Sequence, residues 1–154
     1  MKQKMVQTEA LTKMQRYCAY QERCHQEVRN KLFRLGFGGS ALEEIISQLI
    51  EEGYLNEERY ARLFVQGKFR MNQWGKTKII QALLRKRVSK KCIEYALAQI
   101  DSEVYLVTLR TLLSKKNASP QNENLVSRRN KMYQYAVRKG YESDLVIETL
   151  DSLL

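Results

Sequence analysis

The sequence carries the same hydrophobic pattern three times, and this repetition limits the fold more than any other feature. Apolar side chains recur about every 3.6 residues, which is the spacing of one face of an α-helix. Counted from Phe37, Val88 and Tyr141, three segments keep one register without a gap. The matching positions are Ala41, Leu42, Ile45, Ile46 and Leu49, then Cys92, Ile93, Ala96, Leu97 and Ile100, then Leu145, Val146, Thr149, Leu150 and Leu153. Self-similarity of this kind is typical of repeat proteins.

A second helix precedes each of these segments. Its apolar positions lie at the same two distances upstream in all three repeats: Val28 and Leu32, Ile79 and Leu83, Met132 and Ala136. Two of the three turns between these helices contain a helix-stopping glycine, Gly36 or Gly140. The middle turn has Arg87 instead, so its first helix must end without that glycine.

A further helix is predicted at the start of each repeat, at about 8–21, 56–68 and 102–115. In the second of these, Asn56 is predicted to cap the N-terminus of the helix. The acids after it interact favourably with the positive end of the helix dipole. The predicted fold is all-α: three tandem three-helix repeats, 8–54, 55–101 and 102–154, forming an elongated, curved array. A single helical bundle with chance similarities is the alternative. The stretch 114–124 holds the sole proline and is expected to be a mobile loop.

The formal net charge of +10 favours an anionic partner: nucleic acid, an acidic protein or a membrane surface. No apolar run follows the N-terminal lysines, and none approaches the roughly 20 residues that span a bilayer, so we expect a cytoplasmic protein without membrane contact. The cysteines are odd in number and widely spaced, which makes disulfides improbable in a reducing compartment; they are Cys18, Cys24 and Cys92.

The stretch Gly75-Lys76-Thr77 resembles the end of a phosphate-binding loop. The full motif needs a glycine five residues earlier, where the chain has Arg70, and a buried strand before it. The preceding residues have helical periodicity, so the repeat explains Gly75 more simply, as the turn before a helix. An ATPase is therefore a third hypothesis only.

No other catalytic or metal-binding set is recognisable in the sequence. His25 is the single histidine, and its neighbour Cys24 points in a different direction on a helix. The acidic residues near 43–58 are predicted to lie on solvent-exposed helix faces and at helix starts. We therefore predict no catalytic residue, no metal ligand and no cofactor, and a protein that is not an enzyme.

Positive charge is concentrated between residues 66 and 91, where no acid occurs. Cations beside an exposed aromatic residue suit a phosphate backbone or a negatively charged protein. A second cluster, which includes Arg138 and Lys139, lies on the corresponding helix of the third repeat. The predicted contact residues are Lys68, Arg70, Trp74, Lys76, Lys78, Arg85, Lys86, Lys90, Lys91, Arg128, Arg129 and Lys131. Trp74 has an alternative role as a packing residue between repeats.

One stretch, Gly53-Tyr-Leu-Asn-Glu-Glu-Arg-Tyr-Ala-Arg-Leu-Phe-Val65, resembles the signature of the RecX family of bacterial recombination regulators. The matching residues are Gly53, Tyr54, Leu55, Asn56, Arg59, Tyr60, Ala61 and Phe64. The segments after Trp74 and after Arg23 are similar to the family pattern as well. Two positions depart from it: Arg87 stands where glycine is usual, and Cys24 where serine is common.

The resemblance implies a non-enzymatic protein that binds the RecA recombinase and its nucleoprotein filament. It further implies inhibition of RecA's ATPase, co-protease and strand-exchange activities, and so regulation of DNA repair and the SOS response. A monomer, with single- or double-stranded DNA as a further partner, is expected. The alternative is a general DNA-binding or transcriptional regulator with helix-turn-helix-like units.

Overall fold

The computed structural model describes residues 5–117 and 124–154, and every regular element in those ranges is an α-helix. The all-helical prediction is confirmed for this part of the chain. The helices are α1 (Gln7–Tyr20), α2 (His25–Arg34), α3 (Gly39–Glu51), α4 (Glu57–Asn72), α5 (Lys76–Arg85), α6 (Lys90–Leu97), α7 (Ser102–Asn117), α8 (Leu125–Lys139) and α9 (Ser143–Leu153).

The chain divides into two compact units. Unit 1 is the described part of Met1–Ala61 together with Leu83–Ile93, and unit 2 is Arg62–Ala82 together with the described part of Glu94–Leu154. In unit 1, α3 packs against both α1 and α2. Its core contains the apolar positions that the repeat register selected, among them Val28, Leu32, Ile45 and Leu49.

In unit 2, α7, α8 and α9 pack against one another. Their buried residues again fall at the predicted positions, including Met132, Ala136, Val146 and Leu150. Aromatic rings add to this core: the ring centroid of Tyr105 lies 5.8 Å from that of Phe69 and 5.1 Å from that of Tyr141.

The three turns between the paired helices have the same backbone conformation with different residues. Gly36 and Gly140 take φ angles of 94° and 105°, in the left-handed region that glycine enters without steric cost. Arg87 enters the same region at φ 59°. Helix α5 therefore ends as α2 and α8 do, although the residue in its turn has a Cβ atom.

The first helix of each repeat is confirmed, with different ends. Helix α4 begins after Asn56, whose side-chain oxygen accepts the Arg59 backbone N–H at 2.9 Å, and it continues to Asn72 instead of ending near Lys68. Helix α7 continues to Asn117, so the predicted loop at 114–124 was wrong for its first four residues. Residues 118–123, where mobility was predicted, lie outside the described residues.

Candidate anion-binding surface

The twelve predicted contact residues divide between the units. Unit 1 contains Arg85, Lys86, Lys90 and Lys91. Unit 2 contains Lys68, Arg70, Trp74, Lys76, Lys78, Arg128, Arg129 and Lys131.

The glycine of the Gly75-Lys76-Thr77 stretch lies in a backbone-to-backbone contact. A Cβ atom on Gly75 would come within 2.2 Å of the carbonyl carbon of Gly140, and a Cβ on Gly140 would come within 2.4 Å of the Cβ of Lys78. Because backbone atoms cannot move aside as a flexible side chain can, both positions accept only glycine.

The backbone N–H groups of Gly75, Lys76 and Thr77, where α5 begins, each donate to a protein acceptor. The Gly75 N–H donates to the Lys139 carbonyl at 2.8 Å, and the Thr77 N–H donates to the Gly140 carbonyl at 2.9 Å. The Lys76 N–H donates to the Tyr105 hydroxyl at 3.0 Å. A phosphate-binding loop needs these amides for its ligand. The structure instead supports the prediction that Gly75 forms the turn before a helix.

The Tyr105 hydroxyl links this helix start to a carboxylate. It accepts from the Lys76 N–H and donates to Glu142, the residue that precedes α9. Burial, and then the hydrogen bond to Glu142, raise the pKa of Tyr105 far above its usual range. The phenol therefore stays protonated and remains able to donate to Glu142.

Trp74 lies between two lysines. The Nζ of Lys68 is 4.8 Å from the centroid of its ring, and the Nζ of Lys78 is 4.5 Å from it. Ammonium groups at these distances are attracted by the ring face. Trp74 is half-buried, so it combines packing with a cationic surround, and the structure favours neither predicted role alone.

Lys78 also borders a concavity of about 630 Å³ in unit 2. This cationic cleft is lined by Lys78, Lys116, Lys131, Gln134, Tyr135, Arg138 and Lys139. Five of these seven residues are cations, and none is an acid. Helices α5, α7 and α8 each contribute, and the Nζ of Lys116 lies 5.3 Å from the centroid of the Tyr135 ring.

Five residues of this cleft were not among the twelve predicted contact residues: Lys116, Gln134, Tyr135, Arg138 and Lys139, the last two of which were assigned only to the second basic cluster. Tyr135 could have been found, because Lys131, Tyr135 and Arg138 follow one another by four and three residues and therefore share a face of α8. Lys116 had no such signal, since it lay in a segment predicted to be a loop.

Other predicted residues lie outside the cleft. Arg129 forms an ion pair with Asp151 of α9, and Lys86 lies 3.9 Å from Glu27 in unit 1. Arg70 in unit 2 is exposed, as are Arg85, Lys90 and Lys91 in unit 1.

The motif shared with the RecX signature has structural roles in unit 1. Gly53 takes a left-handed φ of 80° after α3, and Leu55 is buried in the core. Arg59 donates to the carbonyls of Gly53 and Tyr54, and to Glu22 at 2.7 Å. These residues therefore hold the junction between α3 and α4 in place.

The departure at Cys24 is accommodated at the start of α2. Its backbone N–H donates to Glu27 at 3.3 Å, and its thiol lies 3.2 Å from the same carboxylate oxygen. This is the arrangement of a capping box, in which serine is common. Burial raises the pKa of the Cys24 thiol, so the group is a weak nucleophile.

The described residues contain no cluster of three or more His, Cys, Asp or Glu residues that could hold a metal ion. In the same ranges, 5–117 and 124–154, no helix has the length and apolar character needed to cross a membrane.

Comparison with known proteins decides the family. Three models of RecX match in order along the chain: the first three-helix domain at residues 10–49, the second at 56–97 and the third at 103–150. The chain belongs to the RecX family. The prediction of three tandem three-helix repeats is thereby confirmed, while the exact boundaries at 54/55 and 101/102 stay predictions.

Curated relatives and solved structures agree with this assignment. Over 137 residues, 89% of this chain, it is 31% identical to the regulatory protein RecX of Bacillus cytotoxicus and 31% identical to that of Bacillus mycoides. This RecX-family chain spans about half (51%) of the length of each.

Two RecX crystal structures have the same fold. One superposes with a TM-score of 0.85 at 25% identity, covering 94% of this chain and 73% of the other. RecX from Lactobacillus salivarius superposes with a TM-score of 0.88 at 24% identity, covering 96% of each chain.

Proposed function

We propose that the chain is a regulator that binds the RecA recombinase on its nucleoprotein filament and inhibits the ATPase, co-protease and strand-exchange activities of RecA. Through this binding it regulates DNA repair and the SOS response. Family membership supports the proposal, since the curated relatives are named regulatory proteins. The proposed form is a monomeric cytoplasmic protein that acts without a catalytic step.

The observation that carries the proposal is the distribution of cations in unit 2. Five cations surround one concavity, and Lys68 and Lys78 lie over Trp74 beside it. A nucleoprotein filament is a long polyanion, so contacts of this kind release counterions and bind with a strong dependence on salt. Charges on acidic protein surfaces would be recognised by the same groups.

The proposed mechanism is steric and electrostatic. The chain occupies the filament surface through its basic side chains, including Lys76, Lys78 and Lys131, and hinders the subunit motion that ATP turnover needs. No acid–base or nucleophilic chemistry is required. In unit 1, Arg85, Lys90 and Lys91 extend the set of proposed contacts.

The test is the single-strand-dependent ATPase rate of RecA, titrated with this chain below equal stoichiometry. We expect the rate to fall. A control variant reverses two cations outside the proposed contacts, Lys13→Glu with Arg16→Glu, at exposed positions of α1. It should inhibit RecA as the wild type does.

An unchanged ATPase rate, with no binding to the filament, would overturn the proposal. Gel shift on random duplexes and single strands would then test the general DNA-binding alternative, which requires sequence-selective duplex binding without RecA.

A further inference from the structure

Unit 2 contains a small pocket that is separate from the cationic cleft. It lies between α4, the end of α6 and the start of α7, has a volume of about 140 Å³ and shares no lining residue with the cleft. The apolar part of its lining is Val65, Phe69, Ala96, Ile100 and Val104. Val65, Phe69 and Ala96 are buried, whereas Val104 is 52% exposed. The pocket therefore combines a buried apolar wall with an exposed apolar edge.

Exposed apolar side chains continue from the pocket along two helices. Val107 follows Val104 by three residues on the same face of α7 and is 60% exposed. Leu63 precedes the lining residue Gln66 by three residues on α4 and is 43% exposed. Every lining residue lies between 65 and 104, inside the continuously described range 5–117. Apolar surface gathered at the edge of a pocket is typical of an interaction site.

Four polar residues complete the lining, and one of them is a cation without a partner. They are Gln66, Arg70, Gln99 and Asp101. A carboxylate oxygen of Asp101 accepts two backbone N–H groups at the start of α7, at 2.9 and 3.0 Å. The side-chain amide of Gln99 donates to a carbonyl of α6 at 3.4 Å. Arg70 is exposed, and within the described residues its guanidinium makes no hydrogen bond or ion pair, Asp101 included.

The size and lining of the pocket suit one aromatic ring. An apolar cavity of about 150 Å³ holds benzene in an unrelated protein, and this pocket has about 140 Å³. Phe69 contributes a ring to the lining, and aromatic rings attract one another in offset or edge-to-face contacts. Sites for drug-sized molecules are larger, at roughly 300–1,000 Å³. The pocket therefore fits a single side chain better than a whole small-molecule ligand.

We propose that this pocket docks a segment of a partner protein in which a phenylalanine lies next to a carboxylate. The phenyl ring enters the apolar pocket, and the carboxylate pairs with Arg70. The amide of Gln66, which both donates and accepts, bonds the backbone of the segment. No covalent bond is made or broken. The inference goes beyond the proposed function, because it requires neither RecA nor a nucleic acid.

The experiment titrates the whole chain, labelled with nitrogen-15 and without RecA, with three peptides in an NMR tube. They are acetyl-Gly-Phe-Asp-Asp-Gly-amide, the same peptide with Ala for Phe, and the same peptide with Asn for both Asp. We expect saturable shifts of the backbone amides that line the pocket. The Ala peptide should bind at least about tenfold more weakly, because it buries no ring. The Asn peptide should bind about threefold more weakly, since a solvent-exposed ion pair contributes modestly.

Variants test the role of each part of the pocket. Arg70→Gln should bring the Asp peptide down to the affinity of the Asn peptide and leave the Asn peptide unchanged, as a double-mutant cycle requires. Arg16→Gln removes the same charge from an exposed position of α1 and should change none of the three affinities. Val104→Glu places a carboxylate at the exposed apolar edge and should weaken the Phe peptide at least about tenfold. Circular dichroism checks that each variant is folded.

Four results would overturn the proposal. One is the absence of saturable shifts at the pocket with the Phe peptide. Another is equal affinity for the Phe and Ala peptides, which would remove the ring from the interaction. Equal weakening by Arg70→Gln and Arg16→Gln would mean attraction by net charge alone. The last is sedimentation of the chain as a dimer that Val104→Glu dissociates, because the pocket would then face a second copy of this chain.

The outcome is separate from that of the RecA titration. Inhibition of the RecA ATPase without peptide binding would overturn this inference and leave the proposed function in place. Peptide binding without inhibition would do the reverse.

Discussion

The two units differ in where their positive charges lie. In unit 1, cations are paired with carboxylates: Arg59 with Glu22, Arg29 with Glu43, and both Arg23 and Lys86 with Glu27. The hydrogen bond from Arg29 lowers the pKa of Glu43 below its usual value. In the described part of unit 2, Arg129 pairs with Asp151, while lysines lie over aromatic rings or around the cationic cleft. Unit 1 also places Arg23 and Lys31 over the ring of Tyr17. Four cations of unit 1 are thus paired with carboxylates, whereas five cations of unit 2 lie around one concavity.

The comparison has a consequence for mutagenesis. Removing a paired cation of unit 1, such as Arg59, leaves a carboxylate or a carbonyl without its partner, which costs stability. Removing an exposed cation of the cleft, such as Arg138, lowers the repulsion among like charges. Stability and binding should therefore respond to different residues.

The largest expected effect on stability is at Gly75 in unit 2, which carries no charge and tests the packing of the backbone. Gly75→Ala should lower the free energy of unfolding by about 3 kcal/mol or more, because the new Cβ would meet the backbone of Gly140. Urea unfolding measures this. The control is Gly67→Ala inside α4, where a Cβ meets nothing within 4 Å and should stabilise by about 0.5–1 kcal/mol. Similar values for the two variants would contradict the close backbone contact.

The next effect tests the ion pairs of unit 1. Arg59→Ala removes the hydrogen bonds to Glu22 and to two carbonyls, and should cost about 2 kcal/mol in urea unfolding. Arg138→Ala, at an exposed position of the cleft, should change stability by less than about 0.5 kcal/mol. If Arg138→Ala were as destabilising, the expectation that paired cations contribute more to stability than exposed cleft cations would be wrong.

Charge reversal compares the two units in binding. Lys78→Glu with Lys131→Glu in unit 2 should weaken inhibition of the RecA ATPase about tenfold and reduce its dependence on salt, because phosphate contacts are lost. Arg85→Glu with Lys90→Glu in unit 1 should weaken it less, about threefold. Filament binding at several salt concentrations gives both numbers. Undiminished affinity with an unchanged salt slope would remove these residues from the proposed contact.

The smallest effect concerns the turns. Arg87→Gly should stabilise the chain by about 1 kcal/mol, because glycine takes the left-handed conformation without a Cβ clash. Gly36→Ala should destabilise by a similar amount for the converse reason. Arg87→Ala keeps a Cβ and removes the charge, so it should be nearly neutral in thermal unfolding. Stabilisation by Arg87→Ala equal to that by Arg87→Gly would assign the effect to charge instead.

The sequence predicted the helices and their inward faces because both depend on local periodicity. Val28, Leu32, Ile79 and Leu83 lie in the core as their spacing required. Helix ends were less predictable: α7 continues through Ser114–Asn117, where Lys115 and Lys116 are good helix formers and the sole proline comes only at residue 120. The loop prediction relied on the polar residues and the proline of this stretch, and it placed the end of the helix too early.

The candidate site could be predicted only in part. Clusters of lysine and arginine are visible in the sequence, and Lys78 and Lys131 were among them. Their convergence with Lys116 on one concavity depends on how α5, α7 and α8 pack, and no local pattern records it. The same holds for Gly75, where a turn was predictable and the approach to Gly140 was not.

The contact between Gly75 and Gly140 also means that two positions far apart in the sequence are constrained together. If both positions were randomised together and folded variants were selected, the survivors should carry glycine at both sites, while exposed neighbours such as Thr77 would vary freely. A search for phosphate-binding loops by pattern would take the retained glycine as a sign of nucleotide chemistry. Its retention would instead record a place where two stretches of main chain lie too close for any side chain to fit between them.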